Sequence, residues 1–397
     1  MDRRILVLAL ASFATGTEAY VYAGHLADLA ADHNASVATA GQIATAFAIT
    51  YALTAPLVAG AVARFGRRTV MVTGLLLIGA LNLLAAAAPS LGALMAIRVA
   101  CGLAAGLVEP ISTLAAAELA APGERGRAMA VVLSGLTLAF VLGIPVGSVV
   151  GDIAGWRGTF VYAGAVALVA AVAIRVVLPA MPGGQRAGLA AFRAALAPAV
   201  SASLALTLLG FAATFTTIAY LGPIVTAISG LTGSGIGAVQ AMIGVGSIAG
   251  IVVGARAADR PGATRVLAFS FGVSALSLSA YSALMLAPAA TGVIATGLLA
   301  AATALGAAAL FARAPVIQVR LVASAPEEAR PVVLALNGSM VFLGQGLGAA
   351  VGGLVIAGPG LPWVGLAAAG LALLGVGLVV RLSRLAPART DPAVPAE

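Results

Sequence analysis

Glu18, Arg98 and Glu109 are ionisable residues set inside long apolar runs, in a 397-residue chain of which only 9% is charged. At the centre of a membrane helix each such charge costs roughly 2.5–3.5 kcal/mol, so each needs a partner in a neighbouring helix, in water or in a ligand. Arg98 and Glu109 share the run 91–120. At about 100° per residue their spacing puts them on one face, about 16 Å apart along the axis, aligned but out of reach of each other.

Glu18 offers Arg98 a different partner. At about 1.5 Å per residue, Glu18 lies roughly 20 Å from the inner end of its helix and Arg98 roughly 10 Å from the outer end of its own. In a hydrocarbon core about 30 Å thick those depths coincide, and an ion pair is allowed. Such a pair is either a static brace or a proton site, because a carboxylate held ionised beside a guanidinium takes up a proton when the cation withdraws in a dry surround. Glu109, just before Pro110, either snorkels to the inner interface or faces a central cavity, where it meets cationic or hydroxyl groups of a substrate. Tyr22, Phe47, Tyr51, Phe140, Phe215, Tyr220 and Asn337 are candidates to line that cavity, with core packing or lipid contact as the other reading of each. His25 and His33 read as surface residues near the outer face. Two histidines and the single Cys101 make neither a metal site nor a disulfide, and no cofactor is called for.

The elements that must position these residues follow from composition. Hydrophobic residues make up 61% of the chain and its mean hydropathy is +1.11, far above soluble domains at roughly 45–50% apolar. Apolar stretches of about 20 residues recur along the whole length, which predicts twelve membrane-spanning helices and an all-α membrane protein; continuous runs, not alternation, exclude a β-barrel. The net charge of +8 is topology and not nucleic-acid binding. All basic residues are Arg, and they gather in alternate loops, among them Arg64, Arg125, Arg186, Arg265 and Arg330, with Arg157 on the other side. That pattern places both termini in the cytoplasm and the chain in the cytoplasmic (inner) membrane. The run after the initial Met-Asp-Arg-Arg continues past Glu18, too long for a cleaved signal, and reads as a retained first span.

Spans are expected near 5–27, 36–62, 70–88, 91–120, 128–150, 159–178, 197–226, 236–257, 266–286, 292–311, 331–356 and 361–380. Segment 181–193, with a Pro, paired Gly and two Arg, is the expected cytoplasmic linker between an N-terminal half (1–180) and a C-terminal half (194–384). A disordered tail is expected over 385–397. Four landmarks repeat in order about 200 residues apart: Arg64-x-Gly66 with Arg260-x-Gly262, Ala88-Pro89 with Ala287-Pro288, Gly143/Gly147/Gly151 with Gly344/Gly348/Gly352, and Pro122-x-Glu124 with Pro326-x-Glu328. Two six-helix halves in parallel orientation, with a site between them, are the architecture of alternating-access carriers. Paired catalytic Asp, HExxH and GxSxG motifs are absent from the sequence, which argues against a membrane-embedded enzyme, and no loop is long enough for a sensor domain.

Specific stretches carry a resemblance. These are Thr15-Gly16-Thr17-Glu18, Arg64-Phe65-Gly66-Arg67-Arg68, Arg98-x-x-x-Gly102-x-x-x-Gly106, Gly143-x-Pro145-x-Gly147-x-x-x-Gly151, the GWRGTF at 155–160 and the glycine-rich 336–353. Over essentially its full length the chain resembles the major facilitator superfamily, and within it the twelve-span drug:proton antiporters that include bacterial sugar, nucleoside and amphenicol exporters. The resemblance implies proton-coupled export of a small organic molecule by a monomer, with a proton-independent or uptake facilitator as the alternative. Glu18 and Arg98 are the pair expected from their depth and burial to couple protons, while the resemblance implies that the loop of Arg64, Gly66, Arg67 and Arg68 gates the inner face with Asp259 and Arg260 as its second-half counterpart, and that Gly143, Pro145, Gly147 and Gly151 form an antiporter motif sealing one half against the other. One departure stands out: the acid that usually precedes Arg64 is Ala63, and the initial Gly is Ala59.

Overall fold

The computed structural model describes residues 2–62, 64–121, 123–183, 193, 196–258, 262–287 and 292–385. Ala63, Asp259, Arg260, most of the linker and the tail after Leu385 lie outside the described residues. Within them all the regular secondary structure is helical, because an apolar backbone segment in lipid must satisfy its own N–H and C=O groups. Among the described residues, eleven helical stretches are long and apolar enough to cross a membrane. One of them, Arg125–Val177, runs to 53 residues. It bends at Gly155, whose φ of +68° only glycine adopts cheaply, and so supplies two crossings. The protein is a twelve-helix membrane protein.

The first half comprises α1 (Arg3–Tyr20), α2 (Gln42–Val62), α3 (Arg67–Ala86), α4 (Leu91–Leu119), α5 (125–154) and α6 (156–177). After Tyr20, α1 continues through a tight turn (Ala23–His25) into the short helix Leu26–Asp32, so the first crossing runs beyond the expected Ala27. A π-helical turn (Ala139–Gly143) interrupts α5 just before Pro145, which lacks the N–H for a regular ladder. The second half comprises α7 (Pro198–Ile218, extended by Leu221–Ser229), α8 (Gly233–Ala258), α9 (Ala263–Leu286), α10 (Gly292–Ser324), α11 (Arg330–Ala357) and α12 (Val364–Leu385). Here α10 extends well past the expected Phe311.

Glycine rows set the close packing inside each half. A methyl group at Gly102 or Gly106 of α4 would run into the α2 backbone at Phe47, Tyr51 and Ala55. One at Gly246, Gly250 or Gly254 of α8 would strike the carbonyls of Ala304, Ala308 and Ala312 on α10. Small residues at every fourth position let helix backbones approach where lipid supplies no hydrophobic drive for association.

The two halves meet mainly at one end. With Arg3 and Leu385 at what we term the proximal end, the seam is distal. It pairs α2 with α11, α5 with α8, and the α1 turn with the α7 extension. Tyr51 stacks on Phe342 with ring centroids 3.6 Å apart, Tyr20 Oη donates to Gln345 Oε1 at 3.3 Å, and Gln42 Nε2 donates to Tyr220 Oη at 3.2 Å. Ser148 Oγ donates to Gln240 Oε1 at 2.7 Å. At the proximal end, the side-chain hydrogen bonds and ion pairs among the described residues stay within one half, so among those residues the polar latches between the halves are all distal.

Candidate functional site

The structure brings Glu18 and Arg98 together. Both are fully buried, α1 and α4 placing them at one depth, and Arg98 Nη1 donates to Glu18 Oε1. Arg98 is also clamped onto the α1 backbone, donating to the Glu18 carbonyl at 3.2 Å and to the Ala19 carbonyl at 3.0 Å. Its guanidinium lies 4.5 Å from the Phe47 ring centroid and 5.3 Å from that of Tyr22, where the π faces favour a cation. Glu18 Oε2 has no hydrogen-bond partner. The pair is thus dry and well oriented, with one carboxylate oxygen left over.

Glu109 sits deeper along the same helix and does not snorkel: it is buried against α1. Thr15 Oγ1 donates to Glu109 Oε2 across a long 3.4 Å, while Oε1 has no partner and no cation lies within ion-pair distance among the described residues. The first half therefore holds one paired and one unpaired carboxyl in its interior.

The other candidate cavity residues separate into three groups. Tyr51 and Phe140 lie at the proximal edge of the seam, Tyr51 on Phe342, and Phe140 edge-on to Phe215 and Phe311 at 6.4 and 6.3 Å. Tyr220 lies in the seam itself, accepting from Gln42 Nε2 of the first half at 3.2 Å and donating to the Ala349 carbonyl of its own half at 2.9 Å. Tyr22, by contrast, turns into its own half and stacks on Phe160 of α6 at 5.6 Å, so it backs Arg98 and does not line the space between the halves. Asn337 on α11 is half-buried and accepts from Thr207 Oγ1 of α7 at 2.7 Å, also within one half.

Two motif expectations change in detail. The glycines of the antiporter motif do not face the opposite half. Methyl groups at Gly143, Gly147 and Gly151 would collide with Thr17, Val21 and His25 of the first crossing. The opposite face of α5 makes the seam, through Val141 against Gly244, the Pro145 carbonyl against Gly237, and Ser148 and Asp152. The second half repeats this, with Gly344, Gly348 and Gly352 of α11 seated on α7 from Leu208 to Tyr220. Overpacking that row is expected to destabilise: Gly147→Leu should lower thermal stability in detergent by about 1–3 kcal/mol, measured by thermal unfolding, with an unchanged melting curve contradicting the contact.

The proximal loop is tied inside its own half as well. Arg67 pairs with Glu118 at the end of α4, and its backbone N–H donates to the Met181 carbonyl at 3.2 Å. Arg68 Nη1 donates to the Leu178 carbonyl at 2.9 Å, and the Arg64 guanidinium lies 4.9 Å from the Phe65 ring centroid. Gly66 is needed for closeness and not for a special turn: its φ is −58°, and a Cβ there would sit 3.1 Å from the Met181 carbonyl oxygen. Asp259 and Arg260 are outside the described residues.

Several polar residues escaped sequence reasoning. Arg313 of α10 is buried, resting 4.1 Å over Phe271 and, among the described residues, donating only to Ser274 Oγ at 3.3 Å, with Nε and Nη1 unpartnered. The signal that singles out Arg98, an arginine within an apolar run, was present there too. Gln240 and Gln345, lone amides in apolar runs, mark the seam. His25 is 6% exposed and so is not a surface residue.

Two six-helix halves latched at one end, with charged groups buried at mid-depth inside each, are the architecture of a membrane transporter. The chain belongs to the Major Facilitator Superfamily, whose family model matches residues 8–225 and 203–397. It is 36% identical over 268 residues to a chloramphenicol resistance protein of Streptomyces lividans, covering 66% of this chain and 68% of that one. It is 30% identical over 384 residues to the inner membrane transport protein YdhP of Escherichia coli (strain K12), covering 95% and 96%. Among solved structures, a bacterial homolog of the human lysosomal transporter Spinster, in an inward-facing and unoccupied conformation, superposes with a TM-score of 0.79 at 18% identity over 96% of each chain. A D-xylose-proton symporter gives 0.74 at 17%, covering 94% of this chain and 96% of that one. Fold and family are those of membrane transporters and not of enzymes.

Proposed function

We propose that this chain is a proton-driven exporter of a small organic molecule, working as a monomer in the cytoplasmic membrane with both termini inside. On that orientation the distal seam is the outer gate and the unlatched proximal end faces the cytoplasm, ready to load. The observation that carries the reading is the Glu18–Arg98 pair: a carboxylate and guanidinium, sealed from water and joined across two helices, hold opposite charges that separate only if the helices move. Withdrawing Arg98 leaves a carboxylate in a dry surround, which takes a proton to shed its charge. A helix movement and a proton transfer then become one event.

The similarity to a chloramphenicol resistance protein supports an amphenicol-like antibiotic as the first substrate to try, ahead of sugars and nucleosides. Glu109, buried beside Thr15, is the group we assign to contact a cationic or hydroxyl function of the substrate. The test uses everted vesicles carrying a proton gradient. Adding chloramphenicol is expected to dissipate the gradient with the unaltered protein and not with Glu18→Gln. Undiminished proton movement in Glu18→Gln removes Glu18 from coupling, and drug movement without proton movement in the unaltered protein replaces the antiporter by a facilitator.

A further inference from the structure

Arg313 is a charge for which the membrane helices of its own half hold no counter-ion. The sequences of α7 to α12, the α7 extension included, contain neither Asp nor Glu. Glu327 and Glu328 are exposed in the turn after α10, and Arg313 lies about 16 Å short of the end of that helix. Asp259, outside the described residues, follows α8. That helix packs on the neighbouring Ala312, whose carbonyl a methyl group at Gly254 would strike, whereas Arg313 turns to α7 and α9. Arginine does not shed its proton in proteins, so a counter-ion has to come from elsewhere.

The surroundings are built around the cation and leave its donors over. The guanidinium Cζ lies 4.1 Å from the Phe271 ring centroid of α9, and a Cβ on Gly210 of α7 would come within 3.3 Å of it. Nη2 donates to Ser274 Oγ at 3.3 Å, while Nε and Nη1 meet no acceptor among the described residues. Ser274 is fully buried and makes no other hydrogen bond among those residues, so its hydroxyl proton is one more donor. The donors also lie away from the space between the halves. Phe311, two residues earlier and about 160° round the helix, is the one that meets Phe140 of the first half. A cation out of water with N–H groups unbonded is costly. Several N–H and O–H donors at one point, with no acceptor among them, suit an anion. The enclosure by Phe271 and Gly210 calls for a small one, and a single guanidinium balances one negative charge.

We propose that Arg313 and Ser274 form a binding site for a small monovalent inorganic anion such as chloride, inside the second half between α7, α9 and α10 and separate from the space between the halves. The site fills as the anion concentration rises and is empty without it. A bound anion, held from α10 by the guanidinium and from α9 by the hydroxyl, ties those helices together and stabilises the folded chain. The assignment needs neither a transported substrate nor a coupled proton, so it stands or falls apart from the export reading.

Two measurements on the full chain test it. In the first, chloride replaces the bulky anion gluconate at constant ionic strength while thermal unfolding is followed in detergent. The melting temperature should rise with chloride to a plateau, as a ligand of the folded state makes it do. Arg313→Met should abolish the rise, and Arg384→Gln, at an exposed arginine of α12, should leave it unchanged. Ser274→Ala keeps the guanidinium and should raise the half-saturating chloride about tenfold, the loss of one hydrogen bond to a charged group. In the second, crystals of the unaltered chain are grown in bromide, which anomalous scattering locates. A bromide within hydrogen-bonding distance of Arg313 is expected, and this readout needs no variant to fold. Equal melting in chloride and gluconate, a chloride response that survives Arg313→Met, an unchanged half-saturating concentration in Ser274→Ala, or bromide found only elsewhere, overturns the assignment.

Discussion

Arg98→Ala is expected to cost about 3–5 kcal/mol of stability, as removing one partner of a buried ion pair does, and to abolish export. The reason is what remains. Glu18 stays fully buried with a charge and no counter-ion, and the Glu18 and Ala19 carbonyls lose their donor. Glu18→Gln alone leaves the guanidinium still bonded to both carbonyls and should cost less. The double variant Glu18→Gln/Arg98→Met replaces the pair with neutral groups of similar size and should recover much of the lost stability. Thermal unfolding of the three variants separates a brace from a working pair. If the double variant regains both stability and proton-coupled export, the pair is only a brace; if it regains stability alone, charge separation between α1 and α4 is part of the cycle.

Glu109→Gln should move stability the opposite way. The Glu109 carboxyl is buried with one long hydrogen bond from Thr15, one oxygen unpartnered and no cation near it. An unsatisfied buried polar group costs about 1–3 kcal/mol, more when charged, so the neutral amide is expected to raise the melting temperature in detergent. Substrate-driven export should fall sharply in the same variant, because proteins keep such costly groups where function needs them. A variant that is more stable and still exports at the normal rate would make Glu109 a tolerated liability and not a contact for substrate. A less stable one would mean that the acid has a partner in its folded surroundings.

Much of this was legible in the residues because the membrane constrains depth. Counting residues from each helix end put Glu18 and Arg98 at one level, and the structure places them in contact. Direction around a helix axis is another matter. In a soluble helix the polar face reveals which side is buried, but the few polar residues of α5 are too sparse to mark a face, and the glycine spacing at Gly143, Gly147 and Gly151 says only that some backbone comes close. That backbone is α1 and not the other half. The Gly66 turn was open to a similar substitution of cause, since glycine answers equally to unusual φ and to crowding. His25 was misplaced because the apolar pattern fades near Ala27, although the chain stays packed through Asp32. The seam depends on single polar residues such as Gln240, Gln345 and Asp152, whose partners lie from 82 to 325 positions away in sequence and which no local pattern pairs.

Arg313 has an electrical consequence. Arginine keeps its charge in proteins, and here the guanidinium is buried in the second half with no carboxylate bonded to it among the described residues. While they stay paired, Glu18 and Arg98 carry no net charge through the membrane field, whereas Arg313 carries one. If the second half rocks so that Arg313 shifts along the membrane normal, the transmembrane voltage does work on it, at about 2.3 kcal/mol per 100 mV for a full crossing and a proportional share for a partial one. The balance between the two faces of the empty carrier is then tilted by membrane voltage as well as by what is bound.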